Sequence, residues 1–306
     1  MSELQTLQPL VILGPTASGK TRLAVQLAKE FNAEIISVDS RQVYRDMTIG
    51  TGKDLSEYEN IPYHLIDLVD AGTAYNLAEF QRDFREKFIE IKDRQKRPVL
   101  CGGTGLYLEA VLKNHQYTTI PNDFKLRTEL DTLTDEELQS RFSRLHSAFH
   151  AVADLSTRKR TIRAIEIAEY LQNNALEARP ELTLNPLVMG LNPPVEIRRD
   201  RITKRLRERL ENGMIEEVEA LLNRGIPANR LMYYGLEYKF ITEYLEGKWT
   251  YALLFERLNV AIHQYAKRQM TFFRKMERDG LTIHWLEGSP DENLMTARTL
   301  IKENGE

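Results

Sequence analysis

The stretch Pro9-Leu10-Val11-Ile12-Leu13-Gly14-Pro15-Thr16-Ala17-Ser18-Gly19-Lys20-Thr21 decides the fold. Its first five residues are a short apolar run suited to a buried strand, and the helical spacing of Leu23, Leu27 and Phe31 begins just after Thr21. Between strand and helix, Gly14 to Thr21 satisfies the P-loop pattern GxxxxGK[ST]. A chance match in a chain this long arises on the order of 1% of the time, so a turn that binds nothing is disfavoured. The two glycines let the loop wrap with its N–H groups inward, and the helix that follows adds its positive end. Lys20 supplies a mobile cation and Thr21 a hydroxyl suited to Mg²⁺.

Working outward, residues 34–38, 63–68, 98–101 and 187–191 read as further short, apolar strands, with a helix over 78–93. Strands of this kind favour a parallel sheet covered by helices on both faces. The expected fold is therefore α/β, a P-loop NTPase-like parallel sheet flanked by helices. Residues 115–186 lack strand signals and read as polar helices over 123–133, 135–149 and 156–172. The economical division is a core of residues 1–114 and 186–306, with a helical insertion domain over 115–185. After Pro193-Pro194 the chain reads as helical to about Asp279, with breaks at Asn212-Gly213 and Gly225-Ile226-Pro227.

The chain has 306 residues, 42% hydrophobic and 28% charged, an ordinary globular composition. One cysteine, Cys101, excludes an intrachain disulfide and a CxxC motif. No apolar run reaches membrane length, and Glu3 with no basic residue precedes the short apolar run, which argues against a signal peptide. A cytoplasmic monomer is expected. Lys and Arg number 42 against 45 Asp and Glu, a formal charge of -3 that as a total speaks against a polyanionic partner. The distribution points the other way. Residues 158–163 carry four cations and no acid, 196–210 seven cations and three acids, and 267–275 four cations and no acid. Three such tracts suggest a segregated basic surface.

A P-loop identifies phosphate and leaves the chemistry open. Asp39 follows the second strand at the sheet edge where ligands bind, and three roles are open to it: metal ligand, general base, or cap of the next turn. Ser40, Arg41 and Gln42 follow it, and residues 48–53 supply a second loop, taken as flexible, that carries Lys53. Gly102-Gly103-Thr104-Gly105 ends the strand over 98–101, and three glycines around one Thr suggest close approach of a ligand, with the Thr104 hydroxyl as a contact.

These residues together resemble the tRNA dimethylallyltransferases, also called tRNA isopentenyltransferases. The likeness runs over nearly the whole chain, through residues 14–21, 39–53, 63–67, 102–107, 160–166 and 267–274. The resemblance implies transfer of a five-carbon group from dimethylallyl diphosphate to N6 of the adenine just 3′ of the anticodon in tRNA. It implies that Gly14, Pro15, Thr16, Ala17, Ser18, Gly19, Lys20 and Thr21 hold the diphosphate and Mg²⁺, with Thr21 on the metal. Asp39 would be the general base, and Arg205 would act with Lys20 on the diphosphate. Ser40, Arg41, Gln42, Thr104, Arg127, Lys159, Arg160, Arg163, Lys267, Arg268, Gln269 and Arg274 would meet tRNA. Where the family has a GYK motif, this chain reads Gly235-Leu236-Glu237-Tyr238-Lys239.

Two other activities share the P-loop. A nucleotide or small-molecule kinase would use Asp39 on a hydroxyl and the insertion as a lid, and a related prenyltransferase would take free adenine nucleotides. A non-enzymatic RNA-binding ATPase is a third reading, with nothing beyond the P-loop in its favour.

Overall fold

The computed structural model describes residues 7–176 and 182–305. Its strands are β1 (Leu10–Leu13), β2 (Ala33–Val38), β3 (Tyr63–His64), β4 (Arg97–Gly102), β5 (Leu187–Leu191) and β6 (His284–Leu286). Its helices are α1 (Lys20–Glu30), α2 (Leu77–Asp93), α3 (Gly105–Leu112), α4 (Phe124–Leu130), α5 (Asp135–Arg144), α6 (Arg158–Asn173), α7 (Val195–Glu211), α8 (Met214–Asn223), α9 (Ala228–Leu231), α10 (Leu236–Leu245), α11 (Tyr251–Arg278) and α12 (Pro290–Gly305). The chain divides into two compact units, Met1–Lys113 with Thr183–Glu306, and Asn114–Leu182. Among the described residues no helix is long and apolar enough to cross a membrane.

In the first unit the six strands form one parallel sheet in the order β3-β2-β4-β1-β5-β6. Every residue of β1, β2, β4 and β5 is buried, as a helix-covered parallel sheet requires. Leu10, Ile12, Ile35, Val99 and Met189 pack with Leu23 and Leu27 of α1 and Ala297 and Ile301 of α12. Helix α2 starts at a capping box, in which Asn76 accepts from Ala78 and Glu79 and the Glu79 side chain accepts from the Asn76 N–H. It buries Phe80, Phe84 and Phe88, and Phe80 stacks on Tyr107 of α3 with ring centroids 4.2 Å apart. A second core joins α7, α8, α10 and α11 through Ile202, Leu206, Val218, Tyr238, Leu254 and Ile262, and takes in Val43, Tyr44 and Met47. The chain moves from β1 to one side for β2 and later crosses back from β4 past β1 to β5, so the strand order reverses at β1, the switch point where such sheets bind ligands.

Two elements depart from the sequence reading. The strand expected over 63–68 ends at His64, because Leu65 and Asp67 sit at φ 63° and 54°, and only an isolated bridge from Val69 to Tyr44 follows. β6 and α12 were not read from the sequence. β6 pairs with β5, and Gly190 makes room for Trp285, whose ring lies 2.6 Å from where a Cβ would stand.

The second unit holds α4, α5 and α6 around Leu130, Leu138, Phe142, Ile162 and Ile165. Thr134 and Glu137 form a capping box on α5, and the Thr157 hydroxyl caps α6. The helix expected over 135–149 ends at Arg144, where Leu145 turns extended, and Ala148–Val152 forms a separate short turn of 3₁₀ helix.

Candidate active site

The cradle is built by backbone conformation. Ala17 and Gly19 have φ of 59° and 90°, the left-handed conformation from which backbone anion cradles are built. Positive φ at a non-glycine residue is uncommon and is a form of strain that gathers at ligand sites. At Gly14 a Cβ would stand 2.7 Å from Ser18 Oγ and 3.0 Å from the Leu191 carbonyl oxygen, so this position closes the loop by contact. Ser18 Oγ is buried with no hydrogen-bond partner among the described residues. The Lys20 ammonium reaches one acceptor among the described residues, the Pro15 carbonyl at 3.4 Å. Burial lowers its pKa, and the nearby Asp39 carboxylate opposes that shift.

Thr16, Lys20, Thr21, Asp39, Ser40, Arg41, Gln42, Thr104, Arg205, Arg268 and Gln269 line one cleft of about 610 Å³. It opens at the carboxyl ends of β1, β2 and β4. Asp39 Oδ1 accepts the N–H groups of Arg41 and Gln42 at 2.8 and 3.4 Å, while Oδ2 accepts none among the described residues. One oxygen thus caps the turn and the other remains available, so these two roles coexist. The Thr104 hydroxyl accepts the Ser40 N–H at 3.1 Å and ties the two strand-end loops together. Gln42 takes a hydrogen bond from Ser37 Oγ at 3.0 Å and donates to the Gly52 carbonyl at 3.2 Å. Arg205 reaches the cleft from α7 and is paired with Asp54. Burial pushes the Cys101 thiol beside them up to about 12, against the pull of Lys20, so it stays protonated.

Several residues do something other than the sequence reading assigned. The glycines at the end of β4 line the cleft and are also held close by packing: a Cβ would stand 2.1 Å from the Val38 carbonyl oxygen at Gly102, 2.5 Å from Gln269 Nε2 at Gly103, and 2.3 Å from the Phe272 ring at Gly105. Gln269, expected at tRNA, is 7% exposed. Its Oε1 accepts the Thr16 N–H at 2.9 Å and its Nε2 donates to the Gly103 carbonyl at 2.9 Å, so it clamps the P-loop to the β4–α3 turn. The loop over 48–53 is anchored. Glu217 accepts the N–H groups of Thr48, Ile49 and Gly50 at 2.8, 2.7 and 3.0 Å, and Lys53 is buried against Asp67 and the Tyr44 carbonyl.

The basic tracts divide similarly. In the first unit Lys267, Arg268 and Arg274 are exposed on α11 with no ion pair among the described residues. The nearness of Arg274 and Arg199, after burial, lowers the pKa of Arg198, so α7 and α11 contribute to one cationic patch. In the second unit Arg127 and Arg163 bind that unit's own groups, whereas Arg160 is exposed. Arg127 grips Glu166 with two bonds of 2.8 and 2.7 Å, and the Glu166 side chain is 1% exposed. Arg163 donates to the Ile120 and Pro121 carbonyls at 2.6 and 3.2 Å, and Arg160 pairs with Asp154 at 2.8 Å. Lys159 is exposed and has no partner among the described residues.

Sequence reasoning missed Arg209 and Glu237, which line the same cleft. Burial and Arg205 bring the Arg209 guanidinium down to about 10. Burial also holds the Glu237 carboxyl above its usual range, against the pull of both arginines. Arg209 is one of seven cations on or beside α7 and looks like the others in sequence. The departure from GYK at residues 235–239 was the one signal for Glu237.

The comparisons with known proteins agree with this architecture. The family model for IPP transferase matches residues 42–276, and that for isopentenyl transferase matches 8–61. The tRNA dimethylallyltransferase 1 of Geotalea uraniireducens is 51% identical over 295 residues, covering 96% of this chain and 97% of the relative. The tRNA dimethylallyltransferase 2 of Bacteroides fragilis is 50% identical over 300 residues, covering 96% and 98%. The crystal structure of the tRNA isopentenylpyrophosphate transferase of Bacillus halodurans superposes with a TM-score of 0.71 at 32% identity, over 97% of each chain. With a family model over most of its length and relatives at half identity over nearly all of it, this chain belongs to the IPP transferase family, that of the tRNA dimethylallyltransferases.

Proposed function

We propose that this transferase moves a dimethylallyl group from dimethylallyl diphosphate to N6 of the adenine immediately 3′ of the anticodon, position 37 of tRNA, releasing diphosphate. The observation that carries the reading is the convergence of the P-loop, Asp39 Oδ2 and Arg205 on one cleft in a chain of this family. As the allylic C–O bond stretches, negative charge grows on the bridging oxygen of the diphosphate. The inward N–H groups of the P-loop, Lys20 and Arg205 are the fixed positive groups that stabilise it. The amine of adenine is weakly nucleophilic and turns acidic as its new C–N bond forms. Asp39 Oδ2, the oxygen that the turn leaves available, then accepts the proton. Reaching this cleft requires the base to leave its stack, at a cost of a few kcal/mol that binding in the cleft offsets.

The donor set suits Mg²⁺. The Thr21 hydroxyl and the Asp39 carboxylate are hard oxygen donors on the same cleft, and no cluster of three or more His, Cys, Asp or Glu among the described residues forms a cage. That fits a cation that keeps its waters and takes diphosphate oxygens. When bound, Mg²⁺ would supply further neutralisation of the leaving group.

The tRNA backbone would meet Lys267, Arg268, Arg274, Arg198 and Arg199 of the first unit, and Lys159 and Arg160 of the insertion, by phosphate neutralisation. Ser40, Arg41 and Thr104 would border the adenine. P-loop, base and arginine all come from one chain, so a monomer suffices, acting in the cytoplasm with the tRNA pool. The test is incubation with dimethylallyl diphosphate, Mg²⁺ and unmodified tRNA, followed by mass spectrometry of nuclease fragments. One dimethylallyl group on the fragment containing the adenine 3′ of the anticodon is expected. Transfer to free AMP instead, or no transfer together with ATP turnover, overturns the reading.

A further inference from the structure

We propose that Arg209 is a second arginine for the diphosphate of the donor, acting beside Arg205; the inference rests on the prenyl-transfer reading above. The two guanidinium groups crowd one point. At Gly52 (φ +70°) a Cβ would stand 2.1 Å from Arg209 Nη2 and 3.0 Å from Arg205 Nη2, so the absent side chain is what lets both cations in. Like charges held this close repel unless an anion lies between them. Asp54 answers only half of that need. It hydrogen-bonds Arg205, while its other oxygen lies 3.8 Å from Arg209 Nη2, beyond hydrogen-bond reach.

Arg209 makes no hydrogen bond among the described residues, and its Nη2 is buried without a partner. A guanidinium carries five donors in a fork shaped for phosphate, and leaving them unmatched in a buried place is costly. The group nevertheless stays cationic at neutral pH, with burial bringing it down only to about 10. Its surroundings supply the missing anion's place. With Thr16, Ala17, Arg205 and Glu237 it lines a small cavity of about 20 Å³, and with Lys20, Thr21 and Asp39 it lines the main cleft. A diphosphate seated in the P-loop would give Arg209 the acceptors it lacks and separate it electrostatically from Arg205. Glu237, the carboxylate facing both arginines, would then be the resident counter-charge that the diphosphate competes with.

The test is calorimetric titration of inorganic pyrophosphate with Mg²⁺ into the wild-type protein and the Arg209→Met, Arg209→Lys and Glu237→Gln variants, each checked for folding by thermal unfolding. A charge-assisted bidentate contact predicts pyrophosphate affinity weaker by about tenfold or more in Arg209→Met, with Arg209→Lys between. Glu237→Gln should bind pyrophosphate more tightly than wild type. The KM for dimethylallyl diphosphate should follow the same order, with the KM for tRNA unchanged. Wild-type affinity in Arg209→Met together with a lowered unfolding temperature would make Arg209 a structural counter-charge and overturn the proposal. If Arg209→Met does not fold, unchanged affinity in Glu237→Gln overturns it. Failure of the wild-type protein itself to bind pyrophosphate would instead remove the diphosphate reading, and this proposal with it.

Discussion

Replacing Gln269 by Leu separates a structural clamp from a tRNA contact. The side chain keeps its volume while two hydrogen bonds of 2.9 Å vanish, one from the Thr16 N–H and one to the Gly103 carbonyl. The side chain is 7% exposed, so water reaches the orphaned groups poorly. Each buried polar group left unmatched costs about 1–3 kcal/mol, giving about 2–6 kcal/mol for the pair. At roughly 2–4 °C per kcal/mol for a chain of this size, the midpoint of thermal unfolding should fall by about 4–24 °C. The loss acts on the P-loop through Thr16, so the KM for dimethylallyl diphosphate should rise while the affinity for tRNA stays near wild type. Scanning calorimetry with and without pyrophosphate, and filter binding of labelled tRNA, read the two sides. An unchanged unfolding temperature with weakened tRNA binding would refute the clamp and return Gln269 to the nucleic-acid surface.

Glu217→Ala removes the carboxylate that accepts three consecutive backbone N–H groups and the Tyr238 hydroxyl, so denaturant unfolding should show a loss of about 2–4 kcal/mol. A change under 0.5 kcal/mol would mean that the loop over 48–53 does not depend on this anchor. In the insertion, Lys159→Ala should lower the slope of log affinity for tRNA against log salt by about 1 with no loss of stability. Arg163→Gln should instead destabilise the protein, because it breaks bonds to the Ile120 and Pro121 carbonyls and to Glu166. Equal effects of the two on stability would contradict the division between free and engaged cations.

The parts legible in the sequence are those whose determinants are local. The P-loop needs eight consecutive residues, and β1 and β5 are continuous apolar runs that can only be interior, while β2 and β4 carry apolar segments of the same kind at Ile35-Ile36 and Val99-Leu100. β3 misled because Tyr63 to Leu68 has strand composition, and the left-handed turns at Leu65 and Asp67 are imposed by the β2 edge and the loop after it. β6 is three residues long and exists because Gly190 of β5 leaves space for Trp285, a fact about two segments far apart in sequence. The same holds for the site. Glycines 102, 103 and 105 line the cleft, and only the folded chain shows that Val38, Gln269 and Phe272 also stand against them. Basic runs are visible by counting, but only the folded chain shows that Arg127 and Arg163 belong to Glu166, while Lys267, Arg268 and Arg274 make no ion pair among the described residues. Asp39 was placed by its position at a strand end, and its free Oδ2 by the turn that holds Oδ1.

The most direct measurement is single-turnover transfer to unmodified tRNA by the wild-type protein and Asp39→Asn, followed by mass spectrometry of the anticodon fragment. Asparagine keeps the Oδ1 acceptor for Arg41 and Gln42, so the turn, pyrophosphate binding and tRNA binding should persist. Wild type should add one dimethylallyl group to the adenine 3′ of the anticodon, and Asp39→Asn should do so slower by about a hundred- to ten-thousand-fold. Near-wild-type transfer by Asp39→Asn would contradict the assignment of the proton to this carboxylate, and absence of transfer by the wild-type protein would contradict the function itself.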